Sequence, residues 1–146
     1  MIARLLVEED SRQSVREILE RDCITNAFIT SRLHRWLDGS LSLSKLSGEV
    51  WVVEDGGSFE ALLYVGANLV PTLCSDQAID ALVGRLAQEV RRSSSITGPA
   101  SVVLSLWEKL EPSWGSARVI RSAQPLLVID SAPLVEADVD VRAVEP

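Results

Sequence analysis

A mixed α/β domain is what this sequence predicts, on three observations. Residues 59–99 carry a strand–helix–strand unit, Asp55-Gly56-Gly57 is a strong hairpin signal, and three further stretches are amphipathic at helical spacing. In the first unit the apolar run Ala61-Leu62-Leu63-Tyr64-Val65 turns at Gly66-Ala67-Asn68 and continues as Leu69-Val70-Pro71-Thr72-Leu73. Ile79, Leu82, Val83, Leu86, Ala87 and Val90 then keep one face of a 3.6-residue repeat. Ser94-Ser95-Ile96-Thr97 follows as a short strand, stopped by Gly98-Pro99. A crossover through a helix of this length is right-handed and makes the two strands parallel neighbours. The expected order over the whole chain is β-α-α-β-β-β-α-β-α-β, antiparallel in front with a parallel step behind.

Each element has its own warrant. Residues 2–7 read as a strand ended by Glu8-Glu9-Asp10, and Asp10 or Ser11 caps a helix with Val15, Ile18 and Leu19 on one side. Thr25 or Asn26 begins a second helix bearing Ile29, Leu33, Trp36 and Leu37, which Gly39 stops. Residues 40–48 alternate Ser with Leu or Lys and read as a surface loop. Glu49-Val50-Trp51-Val52-Val53 is a strand leading into the hairpin. For the helix after Leu73, Ser75 or Asp76 is the cap; Asp76 and Asp80 lie near the positive end of its dipole, Arg91 and Arg92 at the negative end. After Pro99, Val102, Val103, Leu106, Trp107 and Leu110 mark the last helix, with Pro112 and Gly115 as its breakers. Residues 117–120 and 125–129 are expected to form a final strand pair or one bent strand. Residues 1–130 thus form one domain, and 131–146 read as a linker.

The chain has 146 residues, room for one domain with a sizeable core. Its net charge of −7 argues against general nucleic-acid binding, which needs a basic stripe to displace counterions. No apolar run approaches the ~20 residues that a membrane-spanning helix needs, and Met1-Ile2-Ala3-Arg4 does not begin a secretory signal. A cytoplasmic location is the expectation. Cys23 and Cys74 are far apart, without CxxC spacing, and are expected to be reduced. Cys23 reads as a small apolar residue at the end of the first helix. Cys74, where the central strand meets its helix, reads as packing rather than a nucleophile. One His, His34, and two separated Cys offer no metal constellation.

The order of elements resembles the GNAT superfamily of acetyl-CoA-dependent N-acetyltransferases. It is most similar to the amino-terminal domain of bacterial tandem-GNAT proteins. The residues carrying this are Gly48-Glu49-Val50-Trp51, Gly66-Ala67-Asn68-Leu69-Val70-Pro71, Ser94-Ser95-Ile96-Thr97-Gly98-Pro99, Leu106-Trp107-Glu108, Glu111-Pro112-Ser113-Trp114-Gly115 and Gln124-Pro125-Leu126. Together they cover most of the chain. In this reading Val141-Arg142-Ala143-Val144-Glu145-Pro146 resembles the first strand of a second GNAT domain, the implied partner.

The resemblance implies acetyl transfer from acetyl-CoA to an amine, with no metal. By fold analogy Leu69, Val70, Thr72 and Ser75 would hold the cofactor. The family places a Gly-rich loop, Q/R-x-x-G-x-G/A, at the diphosphate, where bare N–H groups at a helix amino terminus meet phosphate oxygens. The corresponding Leu73-Cys74-Ser75-Asp76-Gln77 contains no Gly and offers Asp76 where an anion should bind. The fourth strand carries no carboxylate base, and the last helix has Trp107 where the family's acid, a Tyr, is expected. Tyr64 reads as a half-buried sheet residue and Glu108 as a surface carboxylate. No catalytic residue is assigned. This half is therefore expected to be degenerate and inactive alone, supporting a catalytic second half. Two alternatives stay open: an active acetyltransferase in its own right, or an interaction module, a homodimer included, using Trp107, Trp114 and Val119.

Overall fold

The computed structural model describes residues 1–135 and Asp140. Ten elements follow one another: β1 (Ile2–Leu5), α1 (Arg12–Glu20), α2 (Ala27–Leu37), a 3-10 turn (Leu43–Lys45), β2 (Glu49–Asp55), β3 (Ser58–Val65), β4 (Asn68–Pro71), α3 (Asp76–Leu86), β5 (Ser95–Ile96) and α4 (Ala100–Trp114). The five strands form one mixed sheet in the order β1-β2-β3-β4-β5. The first three pairings are antiparallel, and β4 with β5 is parallel across the α3 crossover. The antiparallel front and the parallel step are as the sequence predicts.

The strands are apolar on both faces because helices cover both. Val50, Val52, Leu62, Tyr64 and Val70 point to α1 and α2, where they meet Val15, Ile18, Ile29, Leu33 and Trp36. Trp51, Val53, Ala61, Leu63, Val65 and Leu69 point the other way, to Ile79, Leu82 and Leu86 of α3 and Val102, Leu106 and Leu110 of α4. The period-2 alternation of β2 and β3 deals successive residues to two separate cores.

The caps follow local chemistry. Ser11 accepts from the Ser14 N–H and Ser75 from the Ala78 N–H, so Ser rather than Asp takes both positions. Asn26 precedes α2 but caps nothing with its side chain; its amide donates to the carbonyls of Ile18 and Leu19 and ties the end of α1 to the start of α2. At the hairpin Gly56 and Gly57 both have positive φ, 56° and 90°, which the two-residue turn requires.

Several expectations are corrected. β1 stops at Leu5, because Leu6 is buried in the core and the Val7 N–H is taken by Asp10. β4 stops at Pro71, beyond which the Thr72 hydroxyl bonds to Leu62. α3 ends at Leu86, so Val90 is 84% exposed and Arg91 and Arg92 are not its closing turn. The chain leaves early because Ser93, Ser94 and Ser95 must reach the β3–β4 turn: Ser93 Oγ donates to the Gly66 carbonyl at 2.6 Å and the Ser94 N–H to that of Ala67 at 2.9 Å. β5 is accordingly two residues rather than four. Pro112 does not break α4, which runs on to Trp114 and ends at Gly115 with φ 76°. Its missing N–H costs one bond near the helix end, where the Gly115 N–H already returns to Glu111. Cys23 is exposed, beyond the end of α1. Residues 117–120 and 125–129 form no strand, so among the described residues the order ends on α4. The strand-like tail 141–146 lies outside the described residues.

Candidate functional site

Two places in this fold invite a ligand: the corner where β4 meets α3, and the end of the sheet where β1, β2 and the 3-10 turn converge. The corner holds all four residues expected at a cofactor, and each is already engaged. The backbone of Leu69 is paired with Val65 on one side and β5 on the other, where its carbonyl accepts the Thr97 N–H at 2.9 Å. Val70 pairs with Tyr64 and buries its side chain. Thr72 is 1% exposed; its hydroxyl accepts the Leu62 N–H at 3.0 Å and its N–H donates to the Leu62 carbonyl at 3.0 Å. Ser75 spends its hydroxyl on capping α3.

The two parallel strands also stay together past their last ladder pair. Gly98 lies against Pro71, so near that a Cβ built there would sit 3.1 Å from the Pro71 carbonyl oxygen. Pro71 has no N–H to offer a ligand. At the mouth of α3, Asp76 occupies the first turn. A carboxylate 4 Å from another unit negative charge costs about 1 kcal/mol in water and about 4 kcal/mol in a surface-like dielectric. This corner is closed along β4 by pairing on both sides and is acidic at the helix mouth.

Cys74 sits beside it, partly buried against the α3–α4 core. Burial, with a smaller push from Asp76, raises its thiol to about 11, leaving almost no thiolate at neutral pH. At pH 7.5 a disulfide reagent is expected to titrate one thiol rapidly, the exposed Cys23, and the second only slowly until the protein is unfolded. Two equally fast thiols would contradict the packing of Cys74.

At the other end of the sheet, Glu49 and Arg92 form a bidentate ion pair at 3.1 and 2.8 Å. The guanidinium holds the Glu49 carboxyl below the usual carboxylate range; Trp51 Nε1–H, 3.2 Å away, acts in the same direction against the opposing effect of burial. On the α3 side of this pair is a cavity of about 350 Å³ lined by Trp51, Arg85 and Val90. On the opposite side is a larger groove of about 800 Å³ lined by Leu6, Leu43, Leu46 and Val50. Leu5, Glu49 and Arg92 line both. Glu8 fixes the outer wall of the groove, accepting from Trp36 Nε1 at 2.9 Å and from the Leu43 N–H. Sequence reasoning missed this end of the molecule. Its one signal was Glu49, polar at the head of an apolar strand; the partner lies 43 positions away, in a segment read as helix.

The remaining candidates fall elsewhere. Tyr64 is buried, 5% exposed, with its ring edge-on to Phe28 at 5.3 Å. Glu108 and His34 are exposed, and the His34 ring meets the Ser31 carbonyl at 2.7 Å. Trp107 and Trp114 are partly buried on one stripe of α4, and their indole N–H groups are enclosed without an acceptor among the described residues. Arg91 stacks over the Trp114 ring at 5.7 Å, while Val119 is exposed. Among the described residues no group of three or more His, Cys, Asp and Glu side chains could hold a metal ion, and no helix is long and apolar enough to cross a membrane.

Residues 48–146 match the model of a domain of unknown function, DUF4081. The chain belongs to this family. The match starts at the head of β2 and takes in both halves of the Glu49–Arg92 pair, while β1, α1 and α2 of this DUF4081 chain precede it. No curated protein and no solved structure matches the chain.

Proposed function

We propose that this DUF4081 chain is a GNAT-like domain, the amino-terminal half of a tandem N-acetyltransferase, whose own acetyl-CoA site has been lost. The element order from β1 to α4, with a parallel step behind three antiparallel pairings, supports the GNAT reading. The observation that carries the loss of the site is the closed corner: Gly98 against Pro71, Thr72 bound to Leu62, and Asp76 in the first turn of α3. A pantetheine arm needs free strand N–H groups, and β4 is paired on both sides; a diphosphate needs a Gly-lined, uncharged helix mouth, and here Asp76 stands in the first turn. The domain then serves by its surface, supporting a second GNAT domain that transfers the acetyl group to an amine.

Calorimetry with acetyl-CoA is expected to give no heat of binding, and thermal melts no shift, up to millimolar ligand. Binding in the micromolar range would overturn the reading of the corner. For the tandem arrangement, the reading frame beyond codon 146 is expected to encode a domain with a Gly-rich phosphate loop.

A further inference from the structure

Residues 125–129, Pro125-Leu126-Leu127-Val128-Ile129, are the largest apolar feature of the described chain that nothing covers. Leu126 is 64% exposed, Leu127 85%, Val128 55% and Ile129 89%, and the segment carries no regular structure. Alternate residues of an extended chain point to opposite sides, so this run would be apolar on both faces. Such a strand belongs where both of its faces are enclosed. The family match runs through it, so the run is part of the DUF4081 unit.

The sheet offers a seat of that kind at β1. This edge strand pairs on one side only, with β2. The Leu6 N–H donates inward to the Val50 carbonyl, which by alternation turns the N–H groups of Ala3 and Leu5 outward. Further along, the Leu5 carbonyl accepts from Arg4 at 3.1 Å and the Val7 N–H is taken by Asp10, so the open groups lie between Ile2 and the Leu5 N–H. Ile2, Leu5 and Val7 are 70%, 48% and 42% exposed along it. The two cavities flank its end on opposite faces of the sheet, and Leu5 is common to both. A strand laid along β1 would send one set of side chains toward the 350 Å³ cavity and the alternate set toward the 800 Å³ groove. Five extended residues span about 16 Å, the reach of β1 and the one residue after it.

We propose that residues 125–129 of one copy add as a strand to the open β1 edge of a second copy, reciprocally, forming a two-fold dimer. Donor and acceptor are both surfaces of this chain, so each copy can satisfy the other and the exchange closes. Charge favours the pairing: residues 115–129 carry Arg118 and Arg121 and no acidic residue, whereas Glu8, Glu9, Glu49 and Glu89 at the cavities outnumber Arg85 and Arg92. A specific interface clears ~1,000 Å², so the flanks of the two exchanged strands must pack along with the strands themselves. This inference does not rest on the acetyltransferase reading.

Light scattering after size exclusion is expected to give twice the 15.9 kDa chain mass at about 100 µM, a concentration well above the Kd of ordinary stable interfaces. Leu127→Asp on the donor and Leu5→Asp on the acceptor should each yield a monomer with unchanged circular dichroism. Mixing the two variants should restore part of the dimer, because one intact segment then meets one intact edge. If Leu5→Asp fails to fold, Ile129→Asp repeats the donor test. A monomeric wild type would overturn the proposal, including one whose amides at 125–129 exchange slowly because the segment folds onto its own body. So would a dimer that survives Leu127→Asp.

Discussion

Trp36→Ala is expected to lower the unfolding free energy by about 3–5 kcal/mol, the range for truncating a large aromatic in a packed core. Trp36 is 0% exposed and stands in the α1–α2 core with Val15, Ile18 and Leu33. Its ring also holds the surface above it. Arg12 lies over its face at 5.1 Å and donates through Nε to the Trp36 carbonyl at 2.8 Å. Its Nε1–H reaches Glu8, the same carboxylate that accepts from Leu43 in the groove wall. Truncation therefore opens a cavity and removes one of the donors that fix Glu8. Urea titration should show the midpoint falling with little change in slope, and Trp36→Phe, which keeps most of the volume, should lose much less. Amide exchange in residues 42–46 should quicken in both variants, because both lack the indole donor. A loss below about 1 kcal/mol for Trp36→Ala would mean that α2 is not seated as described.

What the sequence disclosed, and what it withheld, divides along the range of the interactions. Val15, Ile18 and Leu19, or Ile29, Leu33, Trp36 and Leu37, are buried because a helix forms locally and must hide one face. That logic reads directly from spacing. It fails at Val90, which keeps the period of α3 but lies outside it, because Ser93 to Ser95 are drawn to the turn at residues 66–68. A hydrogen bond across 27 positions leaves no periodic trace. The same holds for Glu49 and Arg92, and it explains why the groove end of the molecule went unseen. At the corner where β4 meets α3, the missing Gly and the presence of Asp76 were legible. That Thr72 turns back on Leu62, and that Gly98 closes on Pro71, were not. Residues 125–129 show the opposite error: their composition suits a strand, yet strand formation needs an edge to pair with, and composition names no edge.

Gly66→Ala should cost about 1–3 kcal/mol, the usual penalty for overfilling a packed site, and the cost should depend on one ring. A Cβ on Gly66 would lie 2.7 Å from both Cε1 and the hydroxyl oxygen of Tyr64, inside contact distance. The ring cannot easily yield, since it is 5% exposed and held edge-on by Phe28. Gly48 lies against the same side chain: its Cβ would meet the Tyr64 hydroxyl at 2.7 Å, but also the Val65 carbonyl oxygen at 2.8 Å. Neither glycine needs a positive φ; both are small because Tyr64 passes close to both. The two sites should therefore separate in a double-mutant cycle. In a Tyr64→Leu background, Gly66→Ala should become nearly neutral, because the three atoms nearest its Cβ all belong to the removed ring. Gly48→Ala should stay costly in that background, because a backbone carbonyl cannot be cut away. Thermal melts of the three single and two double variants measure both couplings. Equal rescue at the two positions would place the Gly48 clash in the ring alone; no rescue at Gly66 would mean that the ring does not fill the space between the β2 and β4 ends.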